Sequence, residues 1–219
     1  MQSGLNLARR ATDLALHQDL KSQVAFPAAY LAMQTALIGD CQLTRQWEAW
    51  LKDPPSRDAT PMTVALALCG RLRQSQALVD GFSRRWPADS QLNNAELPLA
   101  RAAIELQLGH PARAIKLLQS VGSYERSRPA VTYFRGLGYL RGRGVEAAAE
   151  FEKIAGARGA DPLWTGRALA YLQLGRAYLL AGDAARSRKA YEHFLTLWKD
   201  ADPDIPIYKQ AKAEYAKLR

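Results

Sequence analysis

The chain has 219 residues, 48% hydrophobic and 23% charged, which excludes a disordered chain, a collagen and a disulfide-stapled miniprotein. Thirty Lys and Arg against 21 Asp and Glu leave a formal charge of +9, an attraction to polyanions that says nothing of fold. Cys41 and Cys69 match no metal spacing and no redox motif; lying in apolar runs, they read as small core residues rather than a disulfide.

In chain order, the opening lacks the charged-then-apolar sequence of a signal peptide. Leu5 to Leu20 reads as one helix, the second half of a repeat whose first half would precede Met1. Ser22 to Gly39 is eighteen residues without a formal charge, near the lower limit for a membrane span. Gln23, Pro27, Gln34 and Thr35 interrupt it, so it reads as a buried helix of a soluble protein. Beyond it, breaks fall at Asp53-Pro54-Pro55, Gly70, Trp86-Pro87, Gly109-His110-Pro111, Gly142-Arg143-Gly144, Gly182-Asp183 and Asp202-Pro203. Between them Leu, Ala, Arg and Gln dominate and apolar residues recur at three and four, as in Ala100, Ala103, Ile104, Leu106 and Leu108. No alternating β-branched run exceeds four positions. The class is all-α, with helix pairs over 22–52, 58–87, 92–121, 126–157 and 162–200. A last helix over 204–218 would cover the open end with Ile205, Ile207, Ala211, Tyr215 and Leu218.

The breaks repeat. Ala32 to Gly39, Ala102 to Gly109 and Gly175 to Gly182 are each seven residues. Five residues after the turn glycine comes a small residue, at Ser75, Ala114 and Ser187. Helices that cross closely need small residues on both sides, here Gly175 against Ser187 and Ala102 against Ala114. Tyr178 and Tyr191 would fill the wedge one turn out, with Gly182 ending the first helix and Asp183 capping the second. Such hairpins bury both faces only by stacking on copies of themselves.

Tyr171-x-x-Leu174-Gly175-x-x-Tyr178, then Ser187, Tyr191 and Phe194, resembles the tetratricopeptide repeat in its order of aromatic, glycine, aromatic, small residue and aromatic. Tyr171 stands for the usual tryptophan, Ser187 for the alanine, and the closing proline falls at Pro203. The resemblance implies a single right-handed α-solenoid of about five repeats. Leu174 to Leu218, with Leu97–Leu118 and Ala147–Gly159, is also similar to the C-terminal helical-repeat region of bacterial eukaryotic-like serine/threonine kinases. That resemblance implies a sensor or docking module, cytoplasmic, or periplasmic if it follows a membrane helix in a parent protein. The kinase motifs themselves are absent from the chain.

No motif points to catalysis or to a cofactor. His17, His110 and His193 stand apart from one another and from cysteine, and read as capping or surface residues rather than metal ligands. Gly136-x-Gly138 has its third glycine one residue late and no strand before it, so helix crossing explains it better than dinucleotide binding. Asp202 and Asp204 read as helix caps. Between Val121 and Val145 lie Arg126, Arg128, Arg135, Arg141 and Arg143 with one acid, Glu125, and with Tyr124, Tyr133, Phe134 and Tyr139 interleaved. Three readings follow: a solvated helix face over core aromatics, an acidic-peptide or phosphate site, or a nucleic-acid surface.

Stacked repeats curve, and their first helices line a concave groove. Residues beside the crossing glycine and one turn on select Met33, Gln107, Tyr133, Arg141 and Arg176 as its lining. Met33 and Tyr133 would give apolar contact, Gln107 would bond a peptide backbone, and Arg141 and Arg176 would hold a carboxylate or phosphate. The expected function is a non-catalytic scaffold binding an acidic segment of a partner protein; the alternative is a polyanion-binding module of a transcriptional regulator.

Overall fold

The computed structural model describes Arg10, Leu14 and residues 21–48, 56–157 and 164–218. Apart from Arg10 and Leu14, the expected helix at Leu5–Leu20 lies outside them. The described residues form eleven α-helices and no strand: α1 Lys21–Leu37, α2 Cys41–Glu48, α3 Pro61–Leu68, α4 Leu72–Arg85, α5 Leu97–Gln107, α6 Pro111–Gln119, α7 Pro129–Tyr139, α8 Gly144–Gly156, α9 Gly166–Leu180, α10 Ala184–Leu197 and α11 Pro206–Ala216. Short 3-10 turns at Arg57–Ala59 and Gly122–Ser127 precede α3 and α7, and a π-turn at Leu92–Glu96 runs into α5. Among the described residues no helix is long and apolar enough to cross a membrane.

The turns explain the pairing. At Gly39 the backbone takes φ +85°; the Gly39 N–H donates to Ala36 O at 3.0 Å and the Asp40 N–H to Thr35 O at 2.9 Å. Gly182 and Asp183 repeat this pair of bonds, to Leu179 O and Tyr178 O. This is the left-handed glycine stop that satisfies the last carbonyls of a helix. Asp40 and Asp183 then cap the next helix, accepting from the Leu43 and Arg186 amides at 2.9 and 2.8 Å.

The helix crossings follow the twelve-residue spacing, seven plus five. Ser187 Oγ donates to Gly175 O at 2.7 Å, Ser75 Oγ to Thr63 O at 2.7 Å, and Thr44 Oγ1 to Ala32 O at 3.3 Å. A small hydroxyl therefore touches the backbone of the facing helix in three of the pairs. Gly175 leaves room for the Tyr191 ring, since a Cβ there would stand 2.6 Å from it; Gly136 does the same for Phe151.

The odd-numbered helices stack on one another from α1 to α9, and α4, α6 and α8 each also pack against the first helix of the next pair. Phe82, Phe134, Phe151, Tyr191 and Phe194 are fully buried in the core between the two layers. The last helix does more than cover α10. The Ile207 N–H donates to Ile38 O at 3.3 Å, and Pro206 lies against Gly39, so α11 also reaches the first hairpin. Likewise the Thr165 N–H, just before α9, donates to Gln34 Oε1 on α1 at 3.3 Å. Ile205, Tyr208 and Ala211 are buried, Tyr208 with its ring near that of Trp198.

Two expectations are corrected. Cys41 and Cys69 form a disulfide, with Cα atoms 5.6 Å apart across 28 residues. Cys41 lies two residues after one turn glycine and Cys69 one before the next, and stacking brings these corresponding turns together. Neither Asp202 nor Asp204 caps α11: Ile205 holds the cap position without a side-chain bond, and Asp204 pairs with Lys209.

Candidate functional site

Among the described residues, a larger and a smaller concavity lie toward opposite ends of the odd-numbered helices. At their starts, a cavity of about 710 Å³ is bounded by Tyr30 and Met33 of α1, Arg57 before α3, Glu96 before α5, Arg128 before α7 and Trp164 before α9. Pro61 and Pro129 open α3 and α7 at this end, where a residue without an N–H suits the first helical turn. At the helix ends, a smaller depression of about 270 Å³ is lined by Leu106 and Gln107 of α5, Leu137 of α7 with Arg141 just beyond it, and Gln173 and Arg176 of α9.

Three of the five residues selected from sequence therefore meet. Gln107 and Arg141 are exposed and Arg176 half-buried around the smaller depression. Met33, 6% exposed, lines the larger cavity instead. Tyr133 lines neither: it is 2% exposed, its ring meets Trp164 edge-on at 5.7 Å, and its hydroxyl accepts from Gln173 Nε2 at 3.2 Å. Burial pushes its phenol up to about 12, against the opposing effects of Gln173 and the Arg176 charge. Its role as a surface contact is thus replaced by one in the wall between the two concavities.

The basic stretch separates into paired and unpaired members. Arg128 Nη2 donates to Glu96 at 2.7 Å, Arg143 reaches Glu146, and buried Arg135 is closed by Glu125 at 2.5 Å and Glu150 at 2.6 Å. Arg141 makes no side-chain hydrogen bond or ion pair among the described residues. Across the depression, Arg176 gives Nε and Nη2 to the two oxygens of Glu214 on α11, at 2.9 and 2.8 Å, and Nη1 to Gln173 at 3.2 Å. Burial raises the Glu214 carboxyl, but the Arg176 bonds and charge outweigh it and hold that carboxyl below its ordinary value.

Sequence reasoning missed Arg57, Glu96, Arg128 and Trp164 as a group. Arg57 lies between two expected helix pairs, while Glu96 and Trp164 fall near the starts of the pairs expected over 92–121 and 162–200, and no short-range pattern relates the four. The chain matches no family model, no curated protein and no solved structure.

Proposed function

We propose that the chain is a right-handed tetratricopeptide-like solenoid acting as a non-catalytic docking module of a bacterial signalling protein. In this reading it binds an acidic segment of a partner protein at the depression bounded by Gln107, Arg141 and Arg176. The observation that carries it is the contrast between Arg141 and its neighbours. Arg128, Arg135, Arg143 and Arg176 hold carboxylates of this chain, while the exposed Arg141 guanidinium, at the edge of a concave surface, holds none among the described residues. Such a group can donate its fork of N–H groups to a carboxylate from outside. Gln107 beside it offers both a donor and an acceptor to an extended backbone. The Cys41–Cys69 bond favours an oxidising compartment, the periplasmic one of the two that the kinase resemblance allows.

The test is an array of Asp- and Glu-containing peptides beside their Asn and Gln counterparts, read by fluorescence anisotropy. Wild-type protein binds acidic members, and Arg141→Ala weakens them roughly tenfold while leaving the amide peptides unchanged. Arg176 is left intact, because its loss would release Glu214, and with it α11, from α9. Acidic peptides that bind Arg141→Ala as well as wild type would refute this site. Equal binding of any polyanion, nucleic acid included, would favour the regulator reading.

A further inference from the structure

The larger cavity takes no part in that reading, and its chemistry is different. Phe26 and Tyr30 stack on α1 with ring centroids 5.6 Å apart, and Met33, Leu99 and Trp164 continue the apolar wall. About 710 Å³ is the size of pocket that encloses a small ligand. The formal charge of its lining balances, Arg57 and Arg128 against Asp58 and Glu96, with Asp58 exposed to solvent at the rim.

The hydrogen-bonding capacity does not balance. Arg57 commits Nε to Asp89 at 2.6 Å and both terminal nitrogens to Glu96, at 2.7 and 3.2 Å. Glu96 also accepts from Gln91 and Arg128, at 3.1 and 2.7 Å. Arg128 has five N–H donors, and Glu96 takes its only side-chain bond among the described residues. The α7 helix begins at the next residue, and its positive end adds to the attraction for an anion. A second donor belongs to the same lining. Trp164 is 4% exposed, and its indole N–H finds no acceptor among the described residues. A buried donor without a partner is rare in a folded protein and points to an acceptor supplied from elsewhere.

We infer that this cavity binds a carboxylate carried on an apolar body. The carboxylate accepts from the open N–H groups of Arg128 and from the Trp164 N–H, and the body lies against Phe26, Tyr30 and Met33. Two sources present this chemistry: a free aliphatic or aromatic acid, and the C-terminus of a polypeptide ending in apolar residues. The inference is independent of the acidic-peptide reading, since Arg141 lies at the other end of the helices.

Calorimetric titration of the full chain tests it with decanoate, 4-phenylbutyrate and the peptide N-acetyl-Ala-Leu-Phe, each beside its primary amide. At least one acid binds saturably, and its amide binds at least tenfold more weakly, the effect of losing a charge-assisted bond. Arg128→Ala lowers the acid to the level of the amide; Glu96 keeps Arg57 and Gln91, so the fold is retained, with Arg128→Gln as a second variant. The Arg141→Ala variant binds the acid as wild type does. Tighter binding of the free acids assigns the site to small acids, and tighter binding of the peptide to a chain terminus. No saturable binding of any of the three acids in the millimolar range overturns the inference. So does equal affinity for acid and amide, a contrast that needs no variant.

Discussion

Arg135 is 6% exposed, and its guanidinium is closed by Glu125 from the turn before α7 and by Glu150 from α8. Taking both signs of charge out of water is costly, and removing one partner leaves the other uncompensated. Arg135→Ala therefore lowers stability by about 3 kcal/mol in urea denaturation, and Arg135→Met/Glu150→Leu recovers much of that loss. A loss below about 1 kcal/mol would show the cluster to be solvated. The sequence displays Arg135 as one of five arginines near a single acid; it does not display Glu150, which the α7–α8 turn folds back onto it. The same blindness to folded-back partners hid the Arg57–Glu96–Arg128 group.

Carboxylates set the acid limit of the fold. In Glu125 the hydrogen bonds from Arg135 outweigh burial; in Glu96 burial is the largest single influence, but Arg57, Gln91 and the Arg128 charge together overcome it. Both carboxyls, like that of Glu214, lie below their ordinary value of 4.5. The unfolded chain thus takes up protons at a higher pH than the folded one, and stability falls as pH falls. Urea midpoints stay level above about pH 5 and drop as pH descends through the unfolded and then the folded values. A midpoint unchanged down to pH 3 would contradict these pairings.

The helix pairs were the most legible elements. Glycine stops and the seven-plus-five spacing place the turns, because both arise from local backbone chemistry. The spacing also held two contacts that apolar periodicity passed over, Thr44 on Ala32 and Ser75 on Thr63, where a small polar residue occupies a crossing point. The π-turn at Leu92–Glu96 left no comparable signal, since its pattern runs on into α5. Glycine substitutions test the crossings. At Gly144 an added Cβ would stand 2.6 Å from Ala181 N and 2.7 Å from Ala177 O, both backbone atoms of the end of α9. Gly144→Ala consequently costs about 1–3 kcal/mol in a denaturation series. Gly156→Ala meets nothing within 4 Å and changes stability by less than about 0.5 kcal/mol or raises it. Equal effects at the two positions would mean that α8 does not start against α9 as described.

At the scale of the whole molecule, two long-range links shape the inner surface. The Cys41–Cys69 bond joins the first two hairpins, and by chain entropy a 28-residue loop of this kind contributes roughly 3.6 kcal/mol. The α11 contact with Ile38 and Gly39 brings the last element onto the first, which no short-range pattern encodes. For the same reason the sequence could select a face of the inner helices but not a depth along it. Gln107, Arg141 and Arg176 came out at one end, Met33 at the other, and Tyr133 inside the wall between them.

In the proposed function the face with Gln107 and Arg141, rather than the basic surface of α4, α6 and α10, engages the acidic partner segment. Amide chemical-shift mapping of isotope-labelled protein during titration with an acidic peptide from the array separates the two. The shifts are expected to cluster on α5, α7 and α9 around Gln107, Arg141 and Gln173, and to leave α4, α6 and α10 undisturbed. Shifts spread over the exposed Arg and Lys residues of α4, α6 and α10, such as Arg84, Arg113 and Lys189, with none at Arg141, would contradict it.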